Sequence, residues 1–307
     1  MKSRSNKGRG RPGPDAVIKQ HIFELERSLK LEQKFMANAS AVEQATGEDA
    51  FVGRDVAARK LRFLKTWFEL PSEAFITCLN LLDRFLTKLK VKSAHLDCAA
   101  ISCFHIAAGL HKKIINAADL VTISQVKCTV SDLERMSDIV RNKLGLTDGE
   151  KPVTAVHYVE HFVKILECEA RQQSFKANIL QRKSLLTRLE VVMLDSRCVA
   201  IRPSAVALAL VQAEMGRLLQ PDGPKSPYYS VEFVKQLWLY TCKLQNICMI
   251  TPNQMLTCHA TLKSILQNYD NNARNMQRKR MKMRCSIRWN SLKPSENFST
   301  HLCVIRE

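Results

Sequence analysis

Apolar residues recur every three or four positions along most of the chain and rarely alternate with polar ones. That period predicts helix, because side chains three and four apart share one helix face. The first predicted helix runs from about Asp15 to Met36. Asp15 can cap it, and Ile18, Ile22, Leu25 and Leu29 line one face. Residues 37–53 lose the period and read as a linker.

Five helices then fit into residues 54–147. Asp55 is the expected opener of the first, with Val56, Leu61 and Leu64 inward and Pro71 closing it. Ser72 is the expected cap of the second, whose stripe is Phe75, Leu79, Leu82, Phe85, Leu86 and Leu89. The third, about Ala94–Gly109, carries small apolar residues on nearly every side, as a central helix must if its neighbours are to come close. Asn116 can start a short fourth helix. Ser131 and Glu134 fit a capping box for the fifth, with Leu133, Met136, Val140 and Leu144 inward and Gly145 at its end.

The pattern repeats loosely over residues 152–269. Thr154 opens a helix with Val156, Val159, Val163 and Leu166 inward, and a second spans about Ile179–Asp195. The third, after Pro203, is again small and apolar. A turn at Pro221–Pro227 precedes a fourth with Phe233, Leu237 and Tyr240 at helical spacing. Thr251-Pro252-Asn253-Gln254 combines a capping box with proline at the first helical position, and the fifth helix ends near Tyr269. The expected fold is all-α: two tandem five-helix bundles at 54–147 and 152–269. An N-terminal helix and linker at 15–53 precede them, and tails at 1–14 and 270–307 are expected to be disordered.

The chain has 307 residues, 46% of them apolar, so it can bury a core rather than stay disordered. Its net charge is +18. Residues 1–14 hold five basic groups and no acidic one, and 271–307 hold nine and two, so two thirds of the excess lies at the ends. Basic ends suit nuclear import or an acidic partner and say nothing of fold. The eleven cysteines form no C-x-x-C pair and mostly sit among apolar residues, as in a reducing compartment. The first ten residues hold no apolar segment, and the longest apolar run, Ala205–Val211, is far too short for a bilayer, so neither a secretory signal nor a membrane partner is expected.

Four local motifs need weighing. His157, Glu160 and His161 match H-x-x-E-H, whose histidines one turn apart could hold zinc with glutamate as base. No third ligand is signalled, and ordinary helix residues are the simpler reading, so no metal or other cofactor is expected. Arg9-Gly10-Arg11-Pro12 matches the short core of an AT-hook that enters a narrow minor groove, against the plainer reading of a disordered tail. Arg278, Lys279, Arg280, Lys282 and Arg284 form a basic run suited to nuclear import, with a solvated tail as the alternative. His105 lies in the apolar central helix and reads as a core histidine. No phosphate-loop, dinucleotide or serine-hydrolase motif occurs, and no enzyme activity is expected.

Leu82-Asp83-Arg84-Phe85-Leu86 resembles the end of the second cyclin-box helix, and Lys90-Val91-Lys92 with His95-Leu96 continues the match. Ile123 to Thr129, Arg135-Met136, Ser196-Arg197-Cys198 and Arg202 to Leu208 resemble the cyclin G group. The likeness is strong over about residues 50–215 and implies two cyclin-type bundles. It also implies a kinase-facing surface at Gly109, Lys112, Lys113, Glu134 and Ser137. Activating cyclins place a lysine where Gly109 stands and a glutamate where Ser137 stands. Their substrate-docking patch aligns with Gly53-Arg54-Asp55-Val56-Ala57, of which only the arginine matches.

The resemblance therefore implies a non-catalytic adaptor in growth, cell-cycle and DNA-damage control. It implies binding to a B′ regulatory subunit of type-2A protein phosphatase and to a cyclin-dependent kinase that is not strongly activated. A cyclin-fold transcription or chromatin factor that binds DNA is the alternative, and the tails could add contact with DNA or chromatin. Nucleus and cytoplasm are the expected locations.

Overall fold

The computed structural model describes residues 13–37, 49–147, 149–172, 180–218 and 231–290, and every element among them is helical. Helix α1 spans Pro14–Phe35. The first bundle holds α2 (Asp49–Trp67), α3 (Ser72–Lys88), α4 (Ser93–Leu110), α5 (Ala117–Ser124) and α6 (Val130–Leu144). The second holds α7 (Ala155–Gln172), α8 (Arg182–Met193), a 3-10 turn at Ser196–Cys198, α9 (Pro203–Leu218), α10 (Val231–Ile247) and α11 (Pro252–Asn290). The chain falls into two compact units, Met1–Leu266 and Gln267–Glu307.

The two small-residue helices lie at the bundle centres. Helix α4 packs against α2, α3, α5 and α6, and α9 against α7, α8 and α10. Ala99, Ser102, Cys103, Ala107 and Ala108 on α4, and Ala205, Ala207 and Ala209 on α9, are buried. Short side chains let four neighbours approach one axis, which a leucine-rich helix would hold apart. Gly53 serves the same end on α2, since a Cβ there would stand 2.9 Å from Leu96 Cδ2.

Helix ends follow the expected chemistry at some positions and not at others. The Asn116 side chain accepts the Ala118 N–H at 2.8 Å, and Gly145 ends α6 in the left-handed region at φ 59. Thr251 and Gln254 exchange their capping bonds. The box that opens α6 is Thr129 with Asp132, not Ser131 with Glu134. A cap must have extended backbone, which Thr129 has (φ −89, ψ 166), while Ser131 is already helical. Asp55 does not open α2, which begins at Asp49. Val56 is 39% exposed, because the inward face of α2 is Arg54, Ala57, Ala58, Leu61 and Leu64. Ser72 is the first residue of α3 and makes no cap; its hydroxyl donates to Glu190 at 2.6 Å.

The sequence pattern ends the last helix near Tyr269, but α11 runs on to Asn290, so 270–290 is helical rather than a disordered tail. No Gly or Pro occurs between Asn253 and Lys293, and Ala, Arg, Gln, Lys and Met are good helix formers. Propensity thus extends the helix beyond its apolar face. Of the expected tails at 1–14 and 270–307, residues 1–12 and 291–307 lie outside the described residues.

Arg54 joins the two bundles. Its guanidinium is 1% exposed and grips Asp83 of α3 with a two-bond fork, Nε to Oδ1 at 2.8 Å and Nη2 to Oδ2 at 2.9 Å. It also donates to the carbonyls of Met193 at 3.0 Å and Leu194 at 2.8 Å, at the C-terminal end of α8, and to Asp55 at 3.3 Å. All five donors of the guanidinium are thereby used. Burial alone would lower its pKa, but the Asp83 and Asp55 carboxylates outweigh that and hold it above the ordinary arginine value.

Helix α1 lies along α7 of the second bundle. Glu32, buried on α1, accepts from Arg202 at 2.8 and 2.9 Å and from the Ser204 N–H at 2.7 Å, so its carboxylate faces the N-terminus of α9. The Tyr158 hydroxyl donates to the Ser28 carbonyl at 3.0 Å, and Asn80 of α3 donates to the Phe35 carbonyl at 2.7 Å. Nearer its start, α1 places His21 Nδ1 3.1 Å from His161 Nδ1 of α7.

Two outcomes follow from this packing. Ala108→Leu or Ala207→Leu should each cost about 1–3 kcal/mol through overpacking, read by urea unfolding. An unchanged midpoint would contradict the central placement of that helix. The second concerns acid. Burial and the nearby Lys164 keep the His21 pKa below 6.5, against Glu24. Burial, His21 and His157 do the same for His161, against Glu24 and Glu160. Both rings thus prefer to be neutral when folded, and the unfolded chain binds more protons below pH 6.5. Stability should be full above that pH and fall as pH drops toward the folded-state values. His161→Gln should flatten the fall, and a slope of the opposite sign would contradict the pairing.

Candidate functional site

A cleft of about 540 Å³ opens on the first bundle, walled by α2, α4 and the end of α5. Its position follows from local structure. Helix α5 has only eight residues, and Gln125 turns the chain away in the left-handed region at φ 54. The segment Thr122–Val126 therefore stops short of covering α2, and leaves Leu64, Ile101 and Ile123 lining a gap.

Two aromatic rings stand at its mouth. Phe63 is 59% and Trp67 53% exposed, with ring centroids 6.2 Å apart. Lys60 of α2 and Asp97 of α4 form an ion pair at 2.6 Å on the rim. Apolar walls, exposed aromatic anchors and a few charged groups are the features of a recognition pocket. Sequence reasoning missed this site. The available signal was that Phe63 and Trp67, one turn apart, lie off the inward stripe of α2.

The positions singled out by resemblance are spread over two environments. Gly109 is exposed in the last turn of α4, with nothing within 4 Å of where a Cβ would stand. Lys112 and Lys113 follow it and are exposed. Lys112 takes the left-handed conformation (φ 58) that ends the helix, and Lys113 N–H bonds back to the Ala108 carbonyl at 2.9 Å. On α6 Glu134 is exposed, but Ser137 is 2% exposed and its hydroxyl has no hydrogen-bond partner. Arg54, which matches the family's docking patch in sequence, is committed to the bundle interior and presents nothing to a ligand.

The H-x-x-E-H residues do not converge. His157 Nδ1 accepts the Thr154 N–H at 3.1 Å at the start of α7, Glu160 pairs with Arg182, and His161 faces His21. Among the described residues no group of three or more His, Cys, Asp and Glu side chains could hold a metal. His105 Nε2 lies 3.2 Å from the Ile115 carbonyl, tying α4 to the segment before α5. The backbone of Arg278, Lys279, Arg280, Lys282 and Arg284 lies in α11; their side chains, and Arg9-Gly10-Arg11-Pro12 altogether, lie outside the described residues. No helix among the described residues is long and apolar enough to cross a membrane.

Comparison with known proteins agrees with this architecture. Residues 20–146 match the cyclin N-terminal domain and 153–287 the cyclin C-terminal domain. Cyclin G of Drosophila melanogaster is 33% identical over 296 residues, covering 92% of this chain and 51% of that protein. Human cyclin-G1 is 34% identical over 171 residues, covering 53% of this chain and 55% of that protein. Mouse cyclin-G2 is 32% identical over 171 residues, covering 53% and 46%. The chain thus spans about half the length of the curated relatives it matches. A viral cyclin from herpesvirus saimiri shares the fold, with a TM-score of 0.59 at 16% identity over 79% of this chain and 96% of that one. Two helical bundles with small-residue centres, both cyclin domain matches and the cyclin G relatives place the chain in the cyclin family, within its cyclin G group.

Proposed function

We propose that the chain is a non-catalytic adaptor that recruits a B′ regulatory subunit of type-2A protein phosphatase in growth, cell-cycle and DNA-damage control. Its face toward a cyclin-dependent kinase is weakened. The observation that carries recruitment is the aromatic-lipped cleft on the first bundle, which offers buried apolar contact to a partner segment without any reactive group. The partner's identity rests on kinship with the cyclin G group. The weakened kinase face rests on Gly109, which brings no charge, and on Ser137, which is buried. The basic run from Arg278 to Arg284 is read as an import signal, which gives both nuclear and cytoplasmic populations.

The test is calorimetric titration of purified B′ subunit into the purified full chain, beside an activity assay with a purified cyclin-dependent kinase. The unmodified chain should bind B′ and leave the kinase nearly inactive. Phe63→Ala with Trp67→Ala should weaken B′ binding by roughly tenfold or more without unfolding the chain, since both rings are exposed. Gly109→Lys has room for its side chain and should leave B′ binding unchanged. Strong kinase activation by the unmodified chain, or absence of B′ binding, would overturn the reading. Salt-dependent DNA binding that persists after Arg278–Arg284 is neutralised would favour the DNA-binding alternative.

A further inference from the structure

Residues 270–290, expected as part of a disordered tail, continue α11 as helix, and Gln267–Glu307 is a compact unit of its own. A helix fixes where each residue of that stretch stands around the axis. Residues 271–290 include seven basic residues and no acidic one. Cations at that density are not buried without counter-charges. The whole chain carries +18, so the neutralising groups come from a partner.

The apolar residues of this stretch fall into two rows. Helical register puts Met276, Met283 and Ile287 on one face, and Met281, Cys285 and Trp289 on the opposite face. Arg284 and Arg288 take positions on one flank between the rows, and Lys279 and Lys282 on the other. A DNA duplex would use the charges and leave both rows idle. An anionic bilayer would take one row and leave the other in water. An acidic groove that closes around a helix takes both rows together with the flanking charges. Methionine, flexible and polarizable, suits the methionine-rich groove that calcium sensors open when loaded.

We propose that residues 271–290 of α11 are a docking helix for an acidic, helix-enclosing groove of the EF-hand calcium-sensor class. The two apolar rows anchor in the two walls of the groove, and the flanking cations meet its acidic rim. Such a groove opens only with calcium bound, so the contact forms and releases with calcium. A closed groove also covers residues 278–284. Any effect on import rests on the reading of that run as an import signal.

The probe is calmodulin, titrated calorimetrically into the purified full chain with calcium and again with EGTA, beside phosphatidylserine vesicles and a DNA duplex. A one-to-one complex is expected with calcium and none with EGTA. Met283→Ala with Ile287→Ala should weaken it by roughly tenfold or more, and so should Met281→Ala with Trp289→Ala. Alanine is the best helix former, so neither pair loosens the helix, which circular dichroism checks. Lys279→Gln with Arg284→Gln should also weaken the complex and lower its dependence on salt. No binding to calcium-loaded calmodulin overturns the proposal, and so does binding that persists in EGTA. A loss confined to one alanine pair means a single contacted face and overturns the enclosing groove. Binding to vesicles or duplex that matches calmodulin binding, with no response to either alanine pair, assigns the helix to a bilayer or to nucleic acid instead. No B′ subunit is present, so failure here is separable from failure of the adaptor reading.

Discussion

The buried guanidinium of Arg54 fixes how the two bundles meet. It neutralises Asp83 inside the first bundle and caps the carbonyls of Met193 and Leu194 at the end of α8 in the second. Burying a charge is costly unless every donor is satisfied, and here five donors meet five acceptors. Neither bundle can shift against the other without stripping two buried guanidinium donors of the Met193 and Leu194 carbonyls. The turn at Ser196–Cys198 packs on α2 beside this network, and Ser196 bonds Asp55 at 3.3 Å.

Helix α1 acts as a second strap. Through Glu32 it closes on Arg202 and the start of α9, and through the Phe35 carbonyl on Asn80 of α3, so one helix touches both bundles. Arg202 in turn donates to the carbonyls of Cys248 and Met249 after α10. Arg54 is consumed by the contacts that join the bundles, and the exposed groups further along α2 are Phe63, Trp67 and Lys60, the last paired with Asp97.

Much of the architecture can be read locally. The small-residue runs around Ala107 and Ala207 mark bundle centres, and Asn116, Gly145 and Thr251–Gln254 mark helix ends by chemistry confined to a few neighbouring residues. Where two local solutions compete, pattern alone fails. Ser131 with Glu134 and Thr129 with Asp132 both fit a capping box, and only the extended backbone of Thr129 decides. The contacts that join the bundles are out of reach for another reason. Arg54 finds its carbonyls about 140 residues later, and Glu32 finds Arg202 170 residues later, with no periodicity to announce either. The cleft exists because α5 is short, a property of tertiary spacing rather than of any motif. Ser137 shows the limit of resemblance: it occupies the aligned position of a partner-facing glutamate, yet its side chain is buried.

Differential scanning calorimetry of the full chain measures the coupling of the bundles directly. If the Arg54 network locks them, residues 49–266 should unfold in one transition whose van't Hoff and calorimetric enthalpies agree. Arg54→Ala, which strands Asp83 and two helix-end carbonyls at a cost of about 3–5 kcal/mol, should split that transition into two. Two independent transitions in the unmodified chain, unaltered by Arg54→Ala, would contradict the lock.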